Sequence, residues 1–167
     1  MAKRIVTKIG NVFLVKFENS QRYFQYVAND MTMLNSSVIR IFKKHYPLNS
    51  FPNLTEVVKD EIDFYAHTVL RWGIELGFWE KVGKEGVVGE INVLFRRSLD
   101  CGIKQGEEPV KISQNWDVWR INDECFTRVG KLVGENRKSE IGVVMDAESI
   151  VHRLRTGEYD GFYPSFE

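Results

Sequence analysis

Apolar residues come along this chain in short bursts separated by polar or glycine-bearing breaks, the pattern of short strands and turns more than of long helices. Val12 to Phe17 (VFLVKF) is β-branched and aromatic and follows Gly10-Asn11. The polar run Glu18 to Arg22 separates it from a second burst, Tyr23 to Ala28 (YFQYVA). Two such runs joined by a short polar segment predict a β-hairpin. Neither alternates cleanly, so both faces of the hairpin are expected to be covered at least in part. After a break at Asn29-Asp30, Val38 to Phe42 (VIRIF) predicts a third strand, and Pro47 to Pro52 a loop.

Residues 55 to 81 read two ways. Val58, Ile62, Tyr65, Val69, Trp72 and Leu76 recur at steps of three and four, a helical stripe with Thr55 as its N-cap. Ile62, Phe64, Ala66, Thr68 and Leu70 also alternate, with β-like content. Gly73 and Gly77 would each cost a helix interior about 1 kcal/mol relative to Ala. That favours a strand from Ile62 to Arg71, then turns up to Trp79. Further strands are predicted at Ile91 to Arg97, Trp116 to Ile121, Cys125 to Leu132 and Ile141 to Val144. The clearest helix begins at Asp146 as N-cap, carries Ile150, Val151 and Leu154 on one face, and stops at Gly157. The aromatic tail Tyr159 to Pro164 should pack down on the body. These elements predict an α+β fold in a single domain over residues 1–167, mostly antiparallel β-sheet or a small SH3-like barrel, with a C-terminal helix.

Composition narrows the function. With 43% apolar and 13% aromatic residues the chain can build a core, which excludes a disordered protein. Its 23 Lys+Arg against 23 Asp+Glu argue against a dedicated DNA-binder. The balance hides a split: residues 1–44 carry eight Lys+Arg and two Asp+Glu, net +6, which leaves the rest at net −6. If the acidic share collects on one face, it can steer a basic partner. No stretch approaches the ~18 apolar residues of a spanning helix, and the N-terminus lacks a signal-peptide pattern, so a cytoplasmic protein is expected with no membrane contact.

Catalytic spacing is missing. His45, His67 and His152 form no HxxxH or HxH pair, and only His67, in the aromatic run FYAHT, merits a test as base or ligand. Gly83 to Gly89 is not a GxGxxG loop, and Lys138-Ser139 lacks the upstream glycines of a phosphate loop. The pairs Asp60-Glu61, Glu107-Glu108 and Asp123-Glu124 would point to opposite faces of a strand and read as solvated charge. Cys101 and Cys125, with no CxxC, imply two reduced, partly buried thiols and no zinc. A non-enzymatic protein with no catalytic group, cofactor or metal is therefore expected. For partner binding the candidates are Trp116, Asp117, Trp119 and Arg120, with the acids Asp123 and Glu124. Odd spacing places Trp116 and Trp119 on opposite strand faces. Core packing is the favoured reading of both, and an exposed interface anchor the alternative.

Lys8-Ile9-Gly10-Asn11-Val12-Phe13-Leu14-Val15, a polar turn, and Tyr23-Phe24-Gln25-Tyr26-Val27-Ala28 resemble the N-terminal hairpin of the immunity protein 26 family. Ile141-Gly142-Val143-Val144, the helix, and Arg155-Thr156-Gly157-Glu158-Tyr159 resemble that family's close. Asn11 stands where an acid is expected, Asn19-Ser20 replaces a glycine-containing turn, and residues 45–110 do not align. The resemblance implies a small, mostly-β cytoplasmic antidote that neutralises a cognate toxin by direct binding, and it brings no catalytic motif. The runner-up is a small-barrel nucleic-acid binder, with Lys3, Arg4, Lys8, Lys16 and Arg22 interleaved with Phe and Tyr around the first hairpin. A third reading is an enzyme assembled from scattered residues, His67 with a distant carboxylate.

Overall fold

The first hairpin forms where the pattern places it. Strands β1 (Asn11–Lys16) and β2 (Ser20–Asp30) pair antiparallel, with Val12 opposite Gln25 and Val15 opposite Arg22, in a computed structural model that describes residues 4–100, 102 and 105–167. The connection is tighter than the polar run suggests. The Phe17 N–H donates to the Ser20 carbonyl at 2.8 Å, leaving Glu18 and Asn19 as the turn while Gln21 and Arg22 join the strand.

β3 (Ser36–Phe42), β4 (Tyr46–Pro47), β5 (Ile62–Thr68) and β6 (Glu80–Lys84) complete most of a seven-stranded sheet. A second, four-stranded sheet holds β7 (Leu94–Ser98), β8 (Trp116–Arg120), β9 (Thr127–Gly130) and β10 (Glu140–Ile141). β11 (Val144–Met145) returns to the first sheet, whose order is β11-β5-β3-β2-β1-β6 with β4 beside β2; the second runs β10-β7-β8-β9. The α+β class stands, and the strands are mostly antiparallel. Both sheets stay open, so the closed barrel offered as an alternative does not form. The expected strand Ile141 to Val144 is divided: β10 pairs parallel with β7 and β11 parallel with β5, so this short stretch crosses from one sheet to the other.

The ambiguous stretch resolves into both of its readings. Residues 62–68 are strand, as favoured, but the strand ends at Thr68 and helix α2 (Leu70–Glu75) follows where turns were expected. Gly73 lies inside α2 because a Cβ there would meet the Trp79 indole at 2.0 Å. Burying an indole removes on the order of 150–250 Å² from water, roughly 4–6 kcal/mol at ~25 cal/mol per Å². That outweighs the ~1 kcal/mol helical cost of glycine. A one-turn helix α1 (Leu54–Val57) begins at Asn53, which caps it in place of Thr55. Helix α3 (Ala147–Thr156) matches expectation: Asp146 Oδ1 accepts from the Ser149 N–H at 2.7 Å, and Gly157 terminates it at φ +90°. Among the described residues no helix is long and apolar enough to cross a membrane.

One face of the larger sheet, with Phe13, Phe24, Ile39, Ile41 and Phe64, packs against Leu70, Trp79 and the Ile150, Val151 and Leu154 face of α3. The other face is shared. At one end Val57 and Val58 cover Val12, Leu14, Tyr23 and Phe42; at the other Phe95 and Trp119 of the second sheet cover Val27, Ala28, Val38 and Tyr65.

A bulge determines what meets at that second junction. Tyr26 lies opposite Ile39 and Ala28 opposite Val38, so Val27 is an extra residue. An extra residue reverses the alternation beyond it. Asp30 is thereby moved off the Phe24 and Tyr26 face to the face that carries Val38 and His67. There, at 0% exposure, its carboxylate accepts from Trp119 Nε1 at 3.0 Å, His67 Nε2 at 2.9 Å and the Asn122 N–H at 3.2 Å. The Trp119 ring fills the space beside Gly142, where a Cβ would lie 2.0 Å from the indole. Gly142→Ala should therefore lower the free energy of unfolding in urea by about 1–3 kcal/mol, the usual cost of overpacking. Gly86→Ala, with nothing within 4 Å of its Cβ position, should change it by less than about 0.5 kcal/mol.

Candidate functional site

The residues singled out around β8 do not share a surface. Trp116 and Trp119 point to opposite faces, and both faces are covered, at 0% and 1% exposure. Trp116 packs with Val118 and Leu132 under Tyr163 and Phe166 of the C-terminal tail, and its Nε1 donates to the Ser113 carbonyl at 2.9 Å. Neither indole is an exposed anchor. Asp117 is buried too, accepting from Arg97 at 3.0 Å and Arg128 at 2.6 Å. The Arg120 N–H donates to Asp123 Oδ2 at 2.7 Å, closing the turn after β8; the Arg120 and Glu124 side chains are exposed. Cys125 is exposed, not partly buried as expected. Cys101 and Lys3 lie outside the described residues.

Folding also consumes the charge split. Lys16 pairs with Glu80 at 3.4 Å, Arg22 with Asp63 at 2.7 Å, Lys44 with Asp60 at 3.9 Å, and Lys43 with Glu61. Arg40 is buried, donating to Gln25 Oε1 at 2.7 Å and to the carbonyls of Val58 and Val87 at 3.1 Å. The hairpin rings Phe13, Tyr23, Phe24 and Tyr26 are buried, so they offer no stacking platform for bases.

Of the histidines, His67 is locked in the core at 0% exposure against the Phe95 ring, 4.3 Å between centroids. Burial holds its imidazole below the ordinary 6.5 despite the opposing pull of Asp30. Burial by itself would raise the Asp30 carboxyl, but the donors Trp119, His67 and Asn122 outweigh it and hold Asp30 below the ordinary 3.8. An ionised Asp30 only accepts, so the His67 proton sits on Nε2, and Nδ1 is left without a partner. His45 is exposed, its Nδ1 3.1 Å from Ser20 Oγ beside a cleft of about 460 Å³. No acid backs that imidazole among the described residues, so the pair lacks the orienting group of a nucleophilic triad.

The feature that the sequence reading passed over is the loop after β4. Gln21, fully buried, donates Nε2 to the Ser50 carbonyl at 2.8 Å and accepts the Asn49 N–H at 3.0 Å. Asn49 takes φ +61°, a left-handed conformation that asparagine tolerates. Tyr46 secures the start of the loop, edge-on to the Tyr23 ring at 5.3 Å and donating to Asp60 at 2.5 Å. A single interior amide thus holds residues 49–50 and presents Phe51 to solvent at 96% exposure. Between the loop and the sheet lies a cavity of about 270 Å³ lined by Leu14, Tyr23, Leu54 and Val82, with Lys16 and Glu80 at its rim. The available signal was a lone phenylalanine between Ser50 and Pro52 in a polar break.

Among the described residues no group of three His, Cys, Asp or Glu side chains could hold a metal. No family model, curated protein or solved structure matches this chain.

The two titrating groups at the sheet junction set a pH dependence. A folded pKa below the unfolded one means that the unfolded chain binds more protons, so stability is lost as pH falls. For His67 that loss starts near the unfolded value of 6.5, and for Asp30 near 3.8. The urea midpoint should decline from about pH 7 to 5, and His67→Gln should flatten the decline in that window while leaving the acid limb.

Proposed function

We propose that this chain is a non-enzymatic protein-binding module, most concretely a cytoplasmic immunity protein that neutralises a cognate toxin by direct contact. The observation that carries the reading is Phe51, 96% exposed on a loop held from beneath by Gln21. A large aromatic left in water costs solubility and does nothing for the core, but a rigid one is what a binding hot spot needs. Little conformational freedom is lost when a partner closes on it. The apolar cavity beside it gives that partner a pocket to fill. A standard interface buries ~800 Å² on each side, which Phe51, the cavity and the neighbouring exposed side chains Leu48 and Val82 would centre. The resemblance of both chain ends to the immunity protein 26 family supplies the class of partner.

Co-expression and pull-down with the product of the adjacent gene tests this. The neighbour should be toxic by itself and bound by this chain. Phe51→Ala should weaken the complex by about 2 kcal/mol or more, roughly thirtyfold, with the urea midpoint unchanged because Phe51 contributes almost nothing to burial. A neighbour that is neither toxic nor bound ends the immunity reading. Binding indifferent to Phe51→Ala removes this loop from the interface.

A further inference from the structure

We propose that the open edge of β6 receives a strand of the protein partner, and that this strand alternates acidic and apolar residues. β6 ends the larger sheet: it pairs with β1, and no other described strand lies against it. No backbone hydrogen bond joins residues 80–84 to a described segment other than β1. An antiparallel edge of this kind leaves the N–H and C=O groups of alternate residues facing water, where an extended chain can pair with them. Glu80, Lys81, Val82 and Lys84 are all exposed.

A bulge decides which chain fits. Val12 lies opposite Gly83 and Phe13 opposite Lys81, so Val82 is an extra residue. Positions 81 and 84, an odd step apart, would point to opposite faces of a regular strand, and the extra residue reverses that. Lys81, opposite Phe13, and Lys84, opposite Asn11, therefore share one face, about 7 Å apart along the strand direction. That is the i, i+2 repeat on one face of an added strand. Neither lysine pairs with a carboxylate among the described residues; Lys81 Nζ donates to the Val6 carbonyl at 3.0 Å. Of the nearby acids, Glu80 pairs with Lys16 at 3.4 Å and Glu85 accepts from the Thr55 hydroxyl at 3.3 Å. Toward the other face, Glu80 and Val82 line the cavity of about 270 Å³ beside Phe51 and Leu54. An incoming strand thus meets two cations on one face and an apolar hollow on the other. It fits with carboxylates two residues apart and an apolar side chain between them. Lysines and a bulge guard an edge against pairing with its like; here they turn away a second copy and admit an acidic strand. The proposal rests on the reading of the Phe51 surface as a protein-binding face, and names the segment that face receives.

Three blocked pentapeptides, added to the full chain at low salt and followed by NMR, test this: Thr-Glu-Val-Glu-Thr, its rearrangement Thr-Glu-Glu-Val-Thr, and Thr-Lys-Val-Lys-Thr. The first should move the backbone amides of residues 80–84 saturably and slow their hydrogen exchange. The other two should bind about tenfold more weakly, since one misplaces a carboxylate and the other sets like charges opposite each other. Lys81→Glu combined with Lys84→Glu, both at exposed side chains, should reverse the preference in favour of the lysine peptide and leave the urea midpoint unchanged. Amides that stay still up to millimolar peptide overturn the proposal, and so do equal affinities for the two acidic peptides. Shifts that follow protein concentration alone overturn it too, because a second copy then covers the edge. The complex with the product of the adjacent gene separates the two readings. If it weakens in Phe51→Ala but not in the double lysine variant, the edge proposal falls and the Phe51 surface stands. If no complex forms but the alternating acidic peptide binds, the immunity reading falls and the edge stands.

Discussion

Asp30 is a charge taken fully out of water, and the meeting of the two sheets is organised around keeping it satisfied. A buried carboxylate without donors is expensive enough that it would neutralise or unfold its surroundings. Here the donors come from three places: Trp119 in β8, His67 in β5, and the backbone of Asn122 in the turn after β8. The same turn returns the favour, Asn122 Oδ1 accepting from the Met31 N–H at 2.8 Å and the Asp123 carbonyl from Thr32 Oγ1 at 2.7 Å. Apolar contact alone would let the sheets slide. The carboxylate accepts only where all three donors point, which fixes one arrangement. The Val27 bulge and the bare Cα of Gly142 are the local conditions that arrangement needs.

Buried amides play the same part elsewhere on a smaller scale. Gln25 bridges Arg40 to the carbonyls of Gly10 and Glu85, at 3.3 and 3.0 Å, tying the segment after β6 across the sheet face. Gln21 does so for the loop that carries Phe51. In each case an interior polar group, satisfied only by one loop conformation, holds surface backbone still. The backbone beside a solvent-facing aromatic is thus held by an amide that solvent never reaches.

Two kinds of arginine follow from the same accounting. Arg22 and Arg40 sit inside with their donors occupied by carbonyls, a carboxylate or an amide, and they serve the fold. Arg96 and Arg153 instead rest against aromatic rings, Arg96 by Phe166 and Arg153 by Phe64 and Tyr159.

The hairpin, the third strand, the strand at Ile62 and the capped helix at Asp146 were legible because each depends on residues a few positions apart: a run of β-branched and aromatic side chains, or a cap and its first turn. Strand ends slipped by a few residues where pairing partners, and not local pattern, decide the limit, as at Leu94–Ser98 and Thr127–Gly130. The odd spacing of Trp116 and Trp119 showed that they part to opposite faces, but not that both faces are covered; that needs the second sheet to be in place. The early excess of cations was plain in the chain, and its neutralisation by Glu80, Asp63, Glu61 and Asp60 depends on contacts tens of residues away. Phe51 and Phe64 are the same residue type in neighbouring segments, one in water and one in the core. What the sequence determined by itself was local geometry; which rings are hidden, which charges are spent and which side chain is left facing outward came from the tertiary structure, because burial is a property of what arrives from elsewhere in the chain.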